Sequence, residues 1–272
     1  MKELSPNQGI DTKNRVFWDE PCGSTAFKNL GFNTSAEFDD WFFDYYPYLE
    51  KIIPFDSFRG KRVLEVGLGY GSVSQKLIES GASFSGLDIA EGPVELVKSR
   101  LDALGMDGEV IQGSVLDCPW EDSSFDYLVS IGCLHHTGDP IKGIKELHRV
   151  LKPGGGCVIM VYNAFSYRQW FSSPKIALSQ FFQEMSNPGS FRQAAEPERG
   201  RYDKNTKKKS APCTHFVGVR GLKAIFKTLF SEVVIRRKNI GSEAFLRFFP
   251  RNWKLCILGP IWGLDLYAKL KK

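Results

Sequence analysis

The sequence predicts an α/β, doubly wound domain, a mostly parallel sheet with helices packed on both of its faces. Three observations carry that expectation. Between residues 61 and 163, short β-type runs alternate with helix-type runs, and the strands are apolar on both sides. The first of them, Val63-Leu64-Glu65-Val66, runs straight into Gly67-Leu68-Gly69-Tyr70-Gly71. The chain of 272 residues, 42% hydrophobic and 25% charged, is ordinary globular material, long enough to bury one sizeable core.

Taken in order, residues 1–35 are polar, with Gly, Pro and Asn, and are expected to form an irregular lead-in. Ser35–Ile53 follows as a helix, with Ser35 as N-cap, acidic residues in the first turn and an interruption or kink near Pro47. Phe38, Trp41, Phe42 and Tyr45 fall on one of its faces. Strands are expected at Arg62–Val66, Ser83–Asp88, Glu109–Gln112, Tyr127–Ile131 and Gly156–Tyr162. Helices alternate with them at Ser72–Ser80, Pro93–Leu104 and Ile141–Leu151, the last stopped by Pro153 and Gly154. After Asn163 the rhythm is lost. A helix is expected over Phe165–Met185, then a polar stretch, 187–214, long enough to be a lid. A helix at Val219–Leu229 and strands at Glu232–Arg237 and Gly263–Leu270 bring the sheet to seven strands. The organisation is thus an N-terminal cap (1–60), a core (61–163), a lid insertion (164–215) and a segment completing the sheet (216–272).

The opening MKELSPNQGIDTKNR has no apolar signal core, and the apolar run Leu255–Leu264 is broken by Pro260 and shorter than a membrane span. Six cysteines lack any C-x-x-C pair, so a cytoplasmic protein with reduced thiols and no metal is expected. Net charge is +5, but 19 Lys and Arg against 6 Asp and Glu lie in 191–272. Such a basic region is either a solvated surface or an attraction for an anionic acceptor, nucleic acid or the face of a membrane.

Alternate glycines after a strand permit a tight turn and let a ligand approach the backbone, while the next helix start offers free N–H donors. Asp88 ends the second strand, where a carboxylate can accept both hydroxyls of a ribose. A dinucleotide fingerprint would place a third glycine at position 72, which is Ser72. The spacing Glu65-x-Gly67-x-Gly69-x-Gly71 instead resembles motif I of the class I S-adenosylmethionine-dependent methyltransferases, which have a Rossmann-like sheet. GSVLDCPWEDSSFD (113–126), VSIGCLHHTGDP (129–140) and ELHRVLKPGGG (146–156) resemble the family's later motifs in the right order. The resemblance spans residues 60–163 and weakens beyond.

It implies S-adenosyl-L-methionine as cofactor. Gly67, Gly69 and Gly71 would line its methionine end, and Glu65 would orient the loop or reach the amino group through water. Asp88 would hold the ribose, Ile89, Ser114 and Val115 would flank the adenine, and Ile131 would lie beneath. Many relatives carry Asp where Ser114 stands, so this contact lacks charge assistance. His135 and His136 follow the fourth strand as candidate bases; the competing role is to pack that loop. Trp18, Trp41, Tyr45, Tyr162, Asn163 and His215 are candidates for acceptor contact.

After the fourth strand the chain lacks the Asn/Asp-Pro-Pro-aromatic run of adenine amino-methylating enzymes, the Pro-Cys nucleophile of cytosine-C5 enzymes (Cys133 has no preceding Pro, and Pro21-Cys22 and Pro212-Cys213 lie elsewhere) and the paired glutamates of protein-arginine enzymes. A small-molecule acceptor, methylated on oxygen or nitrogen, is therefore expected. An RNA acceptor drawn to the basic region, and a non-catalytic nucleoside-binding protein, are the alternatives.

Overall fold

The computed structural model describes residues 6–22, 26–241 and 248–272. Its centre is a seven-stranded sheet, built from β1 (Arg62–Val66), β2 (Ser83–Asp88), β3 (Gly108–Gln112), β4 (Phe125–Ile131), β5 (Leu151–Tyr162), β8 (Glu232–Lys238) and β9 (Asp265–Lys271). Their order is β3-β2-β1-β4-β5-β9-β8. The first five are parallel, and β9 runs antiparallel to both neighbours. Leu64, Leu128, Ile159 and Leu266 are wholly buried, each stabilising the fold by about 1.5–3 kcal/mol. The remaining strands, β6 (Arg192–Gln193) and β7 (His215–Phe216), pair with each other.

Helices cover both faces. Those preceding the core are α1 (Pro6–Cys22), α2 (Ala26–Asn29), α3 (Ser35–Tyr45) and α4 (Leu49–Ile52). Within the core lie α5 (Ser72–Glu79), α6 (Glu91–Leu104) and α7 (Pro140–Val150). The segment after β5 holds α8 (Tyr167–Ser172), α9 (Pro174–Ser186) and α10 (Glu196–Arg199). The end of the chain adds α11 (Val219–Lys227), α12 (Arg251–Ile257) and α13 (Gly259–Trp262). Among the described residues no helix is long and apolar enough to cross a membrane.

The elements expected from the sequence recur between 61 and 163 with ends shifted by a few residues. Outside it, three differ. The lead-in is largely helical: α1 contains Gly9 and Pro21 and few apolar residues, and it is held by tertiary contacts. Asn14 Nδ2 donates to the His136 carbonyl at 2.7 Å, and Asp19 accepts from Gly92 N at 2.6 Å. The second contact caps α6, whose own N-cap, Ala90, has no side chain to offer, with a carboxylate at the positive helix end. The helix from Ser35 is interrupted around Pro47, ending at Tyr45 before α4 begins at Leu49, but its cap is Thr34, accepting from Glu37 N, and not Ser35. The helix expected over 165–185 is two, parted at Ser173-Pro174, because proline removes an amide donor and restrains the residue before it.

One buried ion pair ties these layers to the first loop. Arg100 on α6, 6% exposed, forks onto Asp39 of α3 at 2.5 and 3.1 Å and donates to the Tyr70 carbonyl at 2.9 Å. Removing one partner strands a desolvated charge. Asp39→Ala is therefore expected to lower stability by about 3 kcal/mol in urea denaturation; an unchanged midpoint would show that the pair does not hold α3 to the core.

Candidate active site

The sheet order reverses between β1 and β4, whose carboxyl ends diverge into loops on opposite sides. An open α/β sheet binds its ligand at such a point. Here a cavity of about 350 Å³ lies across the strand ends. One half is lined by β2, β1 and β4 and their loops, through Glu65, Gly67, Gly69, Asp88, Ile89, Ser114, Val115 and Ile131. The other lies at β5, β9 and β8, with Tyr162, Asp265 and Asn239.

Backbone geometry makes the first half. Gly67 has φ +82°, and a Cβ there would stand 2.5 Å from Cys133 Cβ on the loop after β4. Gly69, φ +53°, faces open space, so bare backbone borders the cavity. Asp88 Oδ2 accepts from Leu68 N at 2.7 Å and Oδ1 from Ala90 N at 2.9 Å. The acid thus fastens the glycine turn as well as lining the cavity, with further lone-pair positions left on its oxygens. Burial pushes its carboxyl up against these donors. Glu65 is buried with Ser74 Oγ donating at 2.5 Å, and desolvation raises it to about 8. Ser114 Oγ accepts from Leu116 N at 3.2 Å and so caps a short turn. Ser72 Oγ, buried at the start of α5 and on the cavity wall, meets no partner.

In the second half, Tyr162 Oη donates to both oxygens of Asp203, at 3.0 and 3.2 Å. His136 Nδ1 lies 2.9 Å from the Cys213 carbonyl, an acceptor that fixes the proton on that nitrogen. Its Nε2 lies 3.6 Å from Asp203 Oδ2. Trp18 packs on the His136 ring at 4.7 Å between centroids. Asn239 Nδ2 donates to Asp265 Oδ2 at 2.9 Å, and burial lifts Asp265 to about 7.

Of the residues proposed from sequence, Trp18, Glu65, Gly67, Gly69, Asp88, Ile89, Ser114, Val115, Ile131, His136 and Tyr162 meet on this wall. Six do not. Gly71, φ +74°, packs instead against Arg100. His135 is fully buried beneath Tyr162, 3.9 Å between rings, and desolvation holds it well below the usual histidine range, hence neutral. Trp41, 41% exposed, stacks on Tyr45, over which Arg251 lies, because the helix turns Phe42 and Tyr46 inward. Asn163 donates to the Gly263 carbonyl and accepts from Phe165 N, a joint of the fold. His215 sits in β7 beside Cys213. Nor do the lysines near 207 line the cavity, whose wall holds no Lys or Arg among the described residues.

The wall also includes Asp11, Asn14 and Cys22, which with Trp18 share one face of α1. Their spacing of 11, 14, 18 and 22 was a helical signal inside a segment read as irregular. Asp203, Asn239 and Asp265 carry no local motif.

Two outcomes follow. Gly67→Ala should cost about 3 kcal/mol of stability, from overpacking plus a left-handed backbone, and Gly69→Ala about 1 kcal/mol, from the backbone alone; equal costs in denaturant would refute the close approach to Cys133. Between the ordinary glutamate value and about 8, folded Glu65 keeps a proton that the unfolded chain has released, so stability falls as pH rises through that window. Glu65→Gln should flatten the fall between pH 5 and 8; an unchanged slope would mean Glu65 is ionised when folded.

Residues 64–159 match the methyltransferase domain family. A demethylmenaquinone methyltransferase of Clavibacter sepedonicus is 38% identical over 105 residues, 38% of this chain and 42% of that protein. A probable tRNA methyltransferase 9B of Homo sapiens is 31% identical over 151 residues, 52% of this chain and 32% of that one. The chain spans less than half the length of either relative. In fold, a SAM-dependent methyltransferase of Methanosarcina mazei superposes with a TM-score of 0.55 at 20% identity, covering 84% of this chain and 97% of that one. Over residues 64–159 the chain thus matches the methyltransferase domain family, and with its glycine turn, its strand-end acid and this sheet order it has the fold of the class I S-adenosylmethionine-dependent methyltransferases, which implies S-adenosyl-L-methionine as cofactor.

Proposed function

We propose that this protein transfers the methyl group of S-adenosyl-L-methionine to oxygen or nitrogen of a small-molecule acceptor. The observation that carries this reading is the form of the cavity. It runs from the glycine turn to a chamber walled by Trp18, Tyr46, Tyr162 and Tyr267, with α1 and the segment after β5 contributing to its wall. Apolar walls with few polar groups suit a small ligand.

The first half fits the cofactor. Gly69 leaves open space where a side chain would stand, Ser72 Oγ has no partner, and the buried Glu65 and Asp88 carboxyls suit a cationic nucleoside. Glu65 and Ser72 would hold the amino-acid end and Asp88 the ribose. When bound, the cofactor supplies an activated methyl on a sulfonium, a good leaving group. The protein's work is then to hold the acceptor in line and keep water out, an arrangement worth about 7–11 kcal/mol in well-oriented systems. Trp18 and Tyr162 supply flat walls for this. With its proton on Nδ1, His136 presents Nε2 as the base that takes a proton from the acceptor where one must leave. Asp203 stabilises the imidazolium so formed.

An RNA acceptor is the second reading, favoured by the basic 191–272 region and by the likeness to a probable tRNA methyltransferase. Incubation with labelled cofactor and either bulk tRNA or a small-metabolite fraction separates the two. Label is expected in the small molecules, and label in tRNA alone would reverse the assignment. In calorimetry, S-adenosyl-L-methionine should bind and NAD should not. Asp88→Ala should weaken the cofactor at least about tenfold, and full affinity in that variant would remove the ribose role.

A further inference from the structure

We infer that the acceptor chamber recognises an organic cation, an amine protonated at neutral pH. This rests on the methyltransferase reading and specifies its substrate class. Strand spacing separates the two acidic ends of the cavity. Three steps of the sheet, β1 to β4 to β5 to β9, part the strands of Glu65 and Asp265 by about 14 Å across the sheet, and the register sets Asp265 four residues further along, level with Tyr162. Asp203 and Asp265 therefore belong to the acceptor end, beyond the glycine turn.

That end is rich in hydrogen-bond acceptors and poor in donors. Asp265 is 2% exposed; burial raises its proton affinity and that of Asp203, and the Asp203 charge raises that of Asp265 further. Two carboxylates close enough to repel in a buried space are a standing cost unless a cation lies between them. Arg168 is the cation that both feel, and it lies over the Tyr202 ring, away from the cavity wall. His136 Nε2 faces Asp203. Two further wall residues extend the pattern. Asn14, 4% exposed, donates its Nδ2 to the His136 carbonyl, which leaves Oδ1 as a buried oxygen with no donor opposite it. Asn239, held at φ +66°, likewise gives Nδ2 to Asp265 and leaves Oδ1 without a partner. Buried acceptors of this kind require a ligand that brings N–H groups. The aromatic rings of Trp18, Tyr46 and Tyr267 on the same wall suit an alkylammonium, by attraction of a cation to ring faces. A carboxylate or phosphate would meet two aspartates and, among the described residues of the wall, no Lys or Arg. Recognition of the cation is independent of which nucleophile in the acceptor takes the methyl.

The test uses matched probes on phenylethyl, indolylethyl and butyl frames, each as the amine, the alcohol and the carboxylate. Binding to the full chain saturated with S-adenosylhomocysteine is read by calorimetry at pH 7. The amine is expected to bind at least about tenfold tighter than its alcohol, the scale of one charge-assisted hydrogen bond, and the carboxylate not at all. Asp265→Asn and Asp203→Asn should each erase the preference. Asp265→Asn, which removes a buried charge, should also leave the empty protein at least as stable at pH 8. An alcohol or carboxylate bound as well as its amine, an amine preference that survives both substitutions, or no amine bound on any frame would overturn the inference. Failure of S-adenosylhomocysteine itself to bind would instead sink the methyltransferase reading.

Discussion

The close approach of the first loop to the loop after β4 is the constraint on which the rest of the molecule depends. Gly67 can lie against Cys133 only because it has no side chain, and its positive φ turns the chain back beneath the helix that follows. Three separate elements then fix the turn. Asp88 at the end of β2 takes the Leu68 amide, Arg100 on α6 takes the Tyr70 carbonyl, and Asp39 on α3 neutralises Arg100. The half of the cavity at β1 and β2 is thus backbone held by charges, not a pocket carved by side chains. Its shape is set before any ligand arrives, which is what preorganisation asks of a site whose reaction depends mainly on position.

Charge is divided across the molecule in a way that composition conceals. The last 82 residues are strongly basic, yet the cavity wall they help to build contributes acids, Asp203 and Asp265. The lysines at 204 and 207–209 are near Asp203 in sequence and off the wall in space. An anionic acceptor, which that run of lysines suggested, finds no partner inside. The surface field and the field of the site have opposite signs, and the site's field decides what is bound there.

Legibility in the sequence followed the range of the interactions. The strands and helices of 61–163 are local and periodic, and the glycine turn and Asp88 sit at spacings that physics restricts, so they were readable to within a few residues. Residues whose position depends on distant partners were not. α1 carries a helix breaker at each end and is held by Gly92 and His136, contacts that span 73 and 122 positions. The aromatic helix was recognised, but its inward face was misplaced by one residue, since Trp41 and Tyr45 fit the same period as Phe42 and Tyr46. Asp203 lies in a polar stretch with no pattern and gains its place by meeting Tyr162 from 41 positions away. The paired histidines were found as a unit, and only burial distinguishes them: His135 is a neutral prop under Tyr162, whereas His136 is oriented by the Cys213 carbonyl toward the cavity.

The raised carboxyls connect these strands of evidence. Glu65, Asp88, Asp203 and Asp265 all have their protonated forms favoured by burial, and all line one continuous space. In the empty protein this is an unfavourable arrangement, because a carboxyl whose proton affinity is raised in the folded chain costs stability as rising pH ionises it. A structure that retains four such groups in one cavity is built for ligands that reverse the balance. On the proposed function a sulfonium nucleoside would do so at the β1–β2 end, and a protonated amine at the β5–β9 end. Each cation draws nearby carboxyls toward their ionised forms, so binding at either end releases protons and strengthens with pH until the amine itself loses its charge. The two ends are joined through one cavity, so charge neutralised at one lowers the cost of ionising the other, and cofactor and acceptor would each favour the other's binding.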